Sequence, residues 1–249
     1  MVGKNNVIKV LNVPFLNITK DDFIEKKLMN DIAHRNLRHV VTANPEIVIH
    51  AKEHNSYFET IKKADYIVAD GIGVILASRV YKTPLPERIA GFEVMEELLK
   101  KADLNKYSIY LFGAKEGVAE QAAKRIKSIY KNVSIAGTHH GFVDIDDMQV
   151  VDDIRSKKPD IIFVALGYPK QENWIQQHIN SFQSGIFIGI GGSIDVWAGV
   201  TKRAPALWQK LNIEWLYRFI NNPKRIGRFI KLPLFLIEVF RDARKKTRS

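Results

Sequence analysis

Residues 160–172 read Asp-Ile-Ile-Phe-Val-Ala-Leu-Gly-Tyr-Pro-Lys-Gln-Glu, an apolar run that meets a glycine and then turns polar. A similar run, Ile-Phe-Ile-Gly-Ile at 186–190, leads directly into Gly191 and Gly192. Runs that are apolar almost without interruption are typical of strands buried on both faces of a parallel sheet. The two stretches therefore predict two buried strands, each ending in a glycine-rich turn.

Strand-like and helix-like segments alternate outward from these runs through the first 200 residues. The predicted strands span 7–13, 39–42, 66–69, 108–112, 133–136, 160–165 and 186–190. The predicted helices span 20–35, 45–52, 56–63, 91–101, 116–130, 146–157 and 170–181. This alternation favours an α/β layered fold with a mostly parallel sheet and helices on both faces. In such folds, ligands bind beyond the carboxyl ends of the strands.

The excess positive charge lies at the end of the chain. The whole sequence has a formal net charge of +11, and residues 201–249 hold 13 Lys and Arg against 3 Asp and Glu, a net of +10. Residues 1–200 are therefore close to neutral, which predicts an α/β domain over 1–200 and a basic helical appendage over 201–249. We expect an anionic partner for the appendage: a lipid surface, a nucleic acid or a phosphorylated ligand.

The appendage has the pattern of basic amphipathic helices. Its three helix-like pieces are separated by prolines and span 206–221, 224–231 and 234–246. Helices of this kind, with aromatic residues among the apolar ones, favour the surface of an anionic membrane. A helical cap on the α/β domain, or an interface in a homo-oligomer, is the alternative that the same pattern allows. The neutral α/β domain and the aromatic residues argue against a nucleic acid.

Composition excludes several classes of site. The 249 residues include no cysteine, which excludes disulfide scaffolds, thiolate zinc sites, iron–sulfur clusters and a cysteine nucleophile. No apolar run approaches the roughly 20 residues of a transmembrane helix, and we expect no signal peptide at the N-terminus. His139 and His140 are adjacent and have no carboxylate at ligand spacing, so we expect no metal site there.

Polar residues that could carry chemistry follow two of the predicted strands. Thr42 and Asn44 come at the end of 39–42, and Asn44 precedes Pro45. Asn44 can therefore cap the next helix, and both side chains can face a ligand. Asp70 follows 66–69 and precedes a glycine pair. It is either a helix cap or a carboxylate aimed into a crevice, where it can act as a base.

Other residues are suited to binding phosphate. Gly167 and the pair Gly191 and Gly192 lie in strand-to-helix turns, whose backbone N–H groups can bind phosphate. Arg88 lies in a loop rich in proline, where it is either solvated or clamps a phosphate. Gln171 and its neighbour Glu172 are either pocket residues or plain residues of a first helical turn.

The motifs occur in a definite order: Thr42-Ala-Asn-Pro-Glu, Ala69-Asp-Gly71, Arg88-Ile-Ala-Gly91, Leu166-Gly-Tyr-Pro-Lys-Gln-Glu172, Gly191-Gly-Ser193 and Arg203-Ala-Pro205. Together they resemble the WecG/TagA/CpsF glycosyltransferase family over nearly the whole chain. The runs at 210–218 and 224–228 look most similar to the teichoic-acid branch of that family. The resemblance implies a Rossmann-like core as the catalytic domain, with the appendage completing its active site.

The resemblance also implies a reaction and its residues. It is an inverting, metal-independent transfer, without a cofactor, of N-acetylmannosamine from UDP-ManNAc to N-acetylglucosaminyl-diphospho-undecaprenol. The protein would act at the cytoplasmic face of the membrane, bound peripherally. Asp70 is implied to be the base. The implied pocket residues are Thr42, Asn44, Arg88 and Gln171, and the arginines of the appendage implied to complete the site are Arg218, Arg225 and Arg228.

These residues suggest a mechanism. Asp70 removes the proton from the acceptor's 4-hydroxyl while that oxygen displaces UDP, and arginines with helix N-termini stabilise the departing diphosphate. Three alternatives remain open at this point. One is a related transferase that uses another UDP-sugar, such as UDP-N-acetylmannosaminuronic acid or UDP-glucose, because one or two pocket contacts can decide the donor. The others are a nucleic-acid-binding protein with a basic arm and a membrane adaptor without catalysis.

Overall fold

The computed structural model describes residues 6–210, 214–221 and 231–246. Its first strands, β1 (Val7–Val10) and β2 (Val13–Leu16), form an antiparallel hairpin that lies beside the main sheet. The prediction of one strand over 7–13 is therefore wrong. Leu11 and Asn12 adopt positive φ values of 47° and 70° and reverse the chain, but Leu11 continues the apolar run and hides the turn.

The main sheet has six strands, all parallel, in the order β4-β3-β8-β7-β5-β6. Their bounds are β3 (Leu37–Ala43), β4 (Tyr66–Ala69), β5 (Ser108–Gly113), β6 (Ser134–His139), β7 (Ile161–Ala165) and β8 (Gly185–Gly189). The parallel sheet predicted from the apolar runs is thus confirmed.

Both faces of this sheet are covered, as the continuous apolar runs predict. In β7, Ile161 and Phe163 pack into one hydrophobic cluster, while Ile162 and Val164 pack into another on the opposite face. All four side chains are fully buried. Because successive residues of a strand point to opposite faces, this alternation places packed layers on both sides of the sheet.

Helices fill these two layers. They are α1 (20–33, with a π-helical stretch at Phe23–Leu28), α2 (Pro45–Glu53), α3 (Asn55–Lys62), α4 (Ile72–Val80), α5 (Gly91–Asn105), α6 (Val118–Ile129), α7 (Met148–Lys157), α8 (Lys170–His178) and α9 (Ser193–Trp197). The seven predicted helices are all present. Helices α4 and α9 were not predicted, because α4 is apolar almost throughout and α9 is short.

The end of the described chain contains three further helices, α10 (Ala206–Lys210), α11 (Glu214–Asn221) and α12 (Lys231–Lys246). Helix α12 begins three residues before the predicted piece at 234–246, with Pro233 in its first turn, where a missing N–H is tolerated. The predicted piece at 224–231 lies, up to residue 230, outside the described residues. None of the helices described here combines the length and apolar character that crossing a bilayer requires.

Helix α12 packs on the α/β layers rather than standing apart from them. Phe235 and Val239 are fully buried in the hydrophobic cluster that also contains residues of α2 and α4. The Lys52 side chain forms an ion pair with Glu238 at the edge of this contact. The described part of 201–249 therefore shares a core with residues before 200.

Candidate active site

One cleft lies at the carboxyl ends of four neighbouring strands, β4, β3, β8 and β7, and encloses a cavity of about 440 Å³. The eight predicted site residues that precede residue 200 all line it: Thr42, Asn44, Asp70, Arg88, Gly167, Gln171, Gly191 and Gly192. Of the predicted arginines in the appendage, Arg218 lies in helix α11, while Arg225 and Arg228 lie outside the described residues. The first residue of α11, Glu214, also lines the cleft.

Asp70 is partly buried at the end of β4 and lines this opening. Its carboxylate accepts a hydrogen bond from the backbone N–H of Gly91, the first residue of α5, at 3.3 Å. Gly71 occupies the N-cap position of helix α4, and Asp70 lies one residue before it. The helix N-terminus attracts the negative carboxylate, so α5 holds Asp70 in position at the cleft.

Thr42 and Asn44 line the cleft, and their polar side-chain atoms form hydrogen bonds with neighbouring elements. The Thr42 hydroxyl donates a hydrogen bond to the carbonyl oxygen of Gly189 in β8, at 2.8 Å. The Asn44 side-chain oxygen accepts from the N–H of Ile47 at 3.0 Å, so Asn44 caps helix α2 as well as facing the cavity. Both readings of Asn44 in the sequence, as helix cap and as cleft residue, fit this geometry.

Arg88 is not the solvated loop residue that the sequence left as an alternative. Its side chain is 19% exposed and forms an ion pair with Glu93 in the first turn of α5. The Glu93 carboxylate also lies 3.4 Å from the Lys20 ammonium group. Glu93 therefore holds the guanidinium of Arg88 at the wall of the cleft.

Gln171 and Glu172 are buried and join the two glycine-rich turns. The Gln171 side-chain amide donates to the Glu172 carboxylate at 2.6 Å and accepts from the N–H of Gly191 at 3.2 Å. The hydroxyl of Tyr57 donates to the second Glu172 oxygen at 2.9 Å. Burial raises the pKa of Glu172 above its usual range. Sequence reasoning left Glu172 without a role and missed Tyr57, which no local motif marks.

The two turns that the sequence singled out require glycine because of their backbone conformation. Gly167 and Gly191 have φ values of 74° and 52°, in the left-handed region that most side chains disfavour. A Cβ built on either residue would meet no atom within 4 Å. Both turns therefore border open space in the cleft, although the N–H of Gly191 already donates to the side chain of Gln171.

The charged side chains that line the described part of the cleft are mostly acidic. They are Glu46, Asp70, Asp195 and Glu214, with Arg88 as the basic member. Within the described part of the chain, Arg88 is therefore the lining side chain whose charge suits a diphosphate. Apart from Asp70, the sequence analysis gave these acidic residues no role, although Glu46 ends the motif at 42–46 and Glu214 lies in the run at 210–218.

Within the described ranges, one group of side chains has the spacing of metal ligands: His50, Glu53 and His54, whose ligand atoms lie within 4.8 Å of one another. The group is not among the residues that line the cleft. The Glu53 carboxylate lies 3.8 Å from the ammonium group of Lys231. A cation of the chain thus already neighbours its carboxylate, and we assign the group no part in the chemistry of the cleft.

Comparison with known proteins agrees with the motifs. Proteins from Staphylococcus aureus strains MW2, NCTC 8325 and MRSA252 are each 45% identical to this chain over 240 residues, which cover 96% of this chain and 94% of theirs. All three are named N-acetylglucosaminyldiphosphoundecaprenol N-acetyl-beta-D-mannosaminyltransferase. The profile of the Glycosyl transferase WecG/TagA/CpsF family matches residues 8–249. With this match over nearly its whole length, and with residues of five of its motifs lining one cleft, this chain belongs to the WecG/TagA/CpsF glycosyltransferase family.

Proposed function

We propose that this protein transfers N-acetylmannosamine from UDP-ManNAc to N-acetylglucosaminyl-diphospho-undecaprenol, forming the β-1,4-linked disaccharide-lipid of the wall teichoic acid linkage unit. The observation that carries the proposal is the position of Asp70, a carboxylate on the wall of the cleft that Arg88 and two glycine-rich turns also line. The names of the 45% identical relatives support this donor and acceptor.

Asp70 acts as the general base. It accepts the proton of the acceptor's 4-hydroxyl while the oxygen forms a bond to the anomeric carbon of the donor. The bond from that carbon to the UDP oxygen breaks in the same step, so the anomeric centre inverts and UDP leaves as an anion. A positioned base of this kind is typically worth about 10²–10⁴-fold in rate. A single carboxylate is sufficient, because UDP leaves without protonation of a glycosidic oxygen.

The departing diphosphate is negatively charged, and Arg88 is the basic side chain of the described lining. The arginines of the appendage are further groups that could stabilise it. Arg218 lies in α11, whose first residue lines the cleft. In the sequence, Arg225 and Arg228 come shortly before helix α12, whose residue Leu232 also lines the cleft. Arg218, Arg225 and Arg228 would then stabilise the charge of the departing diphosphate together with Arg88.

One face of α12 is suited to a membrane that holds the lipid acceptor. Ile237 and Phe240 are 48% and 53% exposed, and Arg241 and Arg244 lie on the same helical face. Apolar side chains flanked by basic ones favour the interface of an anionic bilayer, at about 1 kcal/mol for each basic residue near the surface. We therefore propose peripheral binding at the cytoplasmic face of the membrane.

The test supplies the full chain with UDP-ManNAc and a lipid-linked N-acetylglucosaminyl diphosphate, without divalent metal and with EDTA in a parallel arm. We expect a disaccharide-lipid by mass spectrometry in both arms, with the β configuration from the anomeric carbon–proton coupling. UDP-N-acetylmannosaminuronic acid, UDP-glucose and UDP-N-acetylglucosamine serve as competing donors. If transfer occurs from only one of these competing sugars, the assignment of UDP-ManNAc as the donor is wrong. If the product forms only when divalent metal is added, the reaction is not metal-independent.

A further inference from the structure

We propose that Glu172 is a positioning residue for this reaction: it fixes the side-chain amide of Gln171, which in turn holds the Gly191 turn at the wall of the cleft. The proposal rests on the proposed function for its kinetic consequence, while its structural part can be tested without any sugar substrate.

The network is closed to solvent. Glu172 is fully buried and Gln171 is 3% exposed. One Glu172 oxygen accepts from the Gln171 amide at 2.6 Å, and the other accepts from the Tyr57 hydroxyl at 2.9 Å. Because a buried polar group without a partner is costly, the three side chains favour this one arrangement.

The chemistry of the groups fixes the direction of the Gln171 amide. Both oxygens of Glu172 accept in this network, one from the Tyr57 hydroxyl and one from Gln171, so the NH₂ group of Gln171 faces Glu172. The Gln171 carbonyl oxygen is then left to face the Gly191 N–H, which it meets at 3.2 Å. Glutamine in place of Glu172 would both donate and accept, and the amide of Gln171 would lose its unique orientation.

A second observation supports the same arrangement. Gly189 precedes the turn in β8, and a Cβ built on it would lie 2.6 Å from the Gln171 amide nitrogen. Glycine at this position therefore makes room for Gln171 against the strand. The Thr42 hydroxyl holds the carbonyl of the same glycine. The carboxyl end of β8 is thus fixed by side chains from β3 and α8.

The expected consequence is a loss of rate rather than of folding. The Gly191 turn and Asp70 line the same cleft, so the turn helps set the distance between bound donor and base. Misplacing reacting groups by about 1 Å can cost on the order of 10²-fold in rate. Glu172 is not among the residues that line the cavity, and it acts through Gln171.

The experiment is a double-mutant cycle of Glu172→Gln and Gln171→Ala, with Gln177→Ala on the exposed face of α8 as the matched control. We expect Glu172→Gln to lower kcat by about 10–100-fold and to change the KM for UDP-ManNAc by less than about threefold. In the double variant, Glu172→Gln should lower kcat little beyond the loss caused by Gln171→Ala alone, because both substitutions release the same turn. Additive losses, or a kcat within twofold of wild type, would overturn the proposal.

Amide exchange provides a readout that does not depend on catalysis. Hydrogen exchange at Gly191, followed by mass spectrometry or NMR, should be at least about tenfold faster in both single variants than in Gln177→Ala. Tyr57→Phe is the substitute variant if Glu172→Gln does not fold. It removes one hydrogen-bond donor from Glu172 and keeps the contact with Gln171, so we expect the exchange rate at Gly191 to lie between those of wild type and Gln171→Ala. Unchanged exchange refutes the positioning role, whereas a wild-type protein without transferase activity refutes the proposed function alone.

Discussion

The hydroxyl of Tyr81 donates a hydrogen bond to the carboxylate of Asp242 at 2.8 Å, which joins the end of helix α4 to the last described helix, α12. The contact lies beside Phe235 and Val239, which α12 buries against the α/β layers. Removing everything after residue 200 would therefore expose apolar core residues as well as remove the basic appendage. A deletion of this kind tests stability and function together, so point substitutions on α12 are the cleaner experiment.

Phe235→Ala should destabilise the protein by about 3–5 kcal/mol, because Phe235 is fully buried and the substitution leaves a cavity. Phe240 lies on the same helix and is 53% exposed, so Phe240→Ala should change the free energy of unfolding by less than about 0.5 kcal/mol. Chemical denaturation of the full chain measures both values. Equal effects of the two substitutions would mean that α12 does not dock on the core in solution.

The same two residues separate folding from membrane binding. If the exposed face of α12 meets the bilayer, Phe240→Ala should weaken binding to vesicles that contain an anionic phospholipid, while the free energy of unfolding stays unchanged. Co-sedimentation with anionic and neutral vesicles gives the measurement. Binding that is indifferent to Phe240, Arg241 and Arg244 would assign membrane contact to another part of the chain.

The layered sheet could be predicted from sequence because burial on both faces leaves a mark in each strand. Ile161 to Ala165 is apolar throughout, and its side chains do fill both layers. The hairpin at the N-terminus was not predicted, because Leu11 prolongs the apolar run through the turn. Helix α4 was missed for the related reason that a nearly uniform apolar segment has no helical periodicity.

The candidate site could be predicted where a residue follows a strand directly, or where it belongs to a family motif, as Arg88 and Gln171 do. Asp70 and Gly191 have this local signal, and the structure brings them to one cleft. Tyr57 has none, since it meets Glu172 across 115 positions of the chain. Glu46, Asp195 and Glu214 reach the cleft from separate elements. Contacts between distant elements depend on how the layers pack, and the spacing of residues in a single sequence does not predict this packing.

Asp70→Asn should lower kcat by about 10²–10⁴-fold, because the amide cannot accept the proton of the acceptor hydroxyl. Asparagine keeps an oxygen that can accept from the N–H of Gly91, so the fold and the binding of UDP should be retained. A thermal-shift titration with UDP checks binding, since a ligand at 100 times its Kd adds about 2.7 kcal/mol of stability. Wild-type turnover by this variant would assign the base to another group.

Thr42→Val should reduce the free energy of unfolding by about 1–3 kcal/mol, because it leaves the carbonyl of Gly189 without its hydroxyl donor. The substitution keeps the shape of the side chain, so packing is little changed. Thr42→Ser retains the hydroxyl and should preserve most of the stability and the transfer rate. If the serine and valine variants lose the same free energy of unfolding, the hydrogen bond from residue 42 to β8 does not stabilise the cleft.

Stability should also fall in mild acid because of His39. This residue of β3 is 1% exposed, and among the described residues neither ring nitrogen makes a hydrogen bond of good geometry; the nearby Gln176 side chain opposes only part of the effect of burial. Burial lowers the pKa of His39 from 6.5 to about 4, since a charged imidazole is poorly solvated there. The unfolded chain therefore binds more protons than the folded one between about pH 4 and 6.5. The stabilising contribution is complete above pH 6.5 and is lost as the pH falls through this window.

The loss expected from His39 alone is about 2 kcal/mol between pH 7 and pH 5, and about 3 kcal/mol by pH 4, from roughly 1.4 kcal/mol for each unit of pKa difference. His39→Leu should remove this part of the pH dependence, because leucine has no proton to gain. His34→Gln, at an exposed position in the same part of the chain, should leave it in place. Denaturant unfolding at pH 7, 6 and 5 compares the three proteins. Parallel curves for wild type and His39→Leu would show that the imidazole is solvated or paired in solution, and that β3 is not packed as closely around it as the structure indicates.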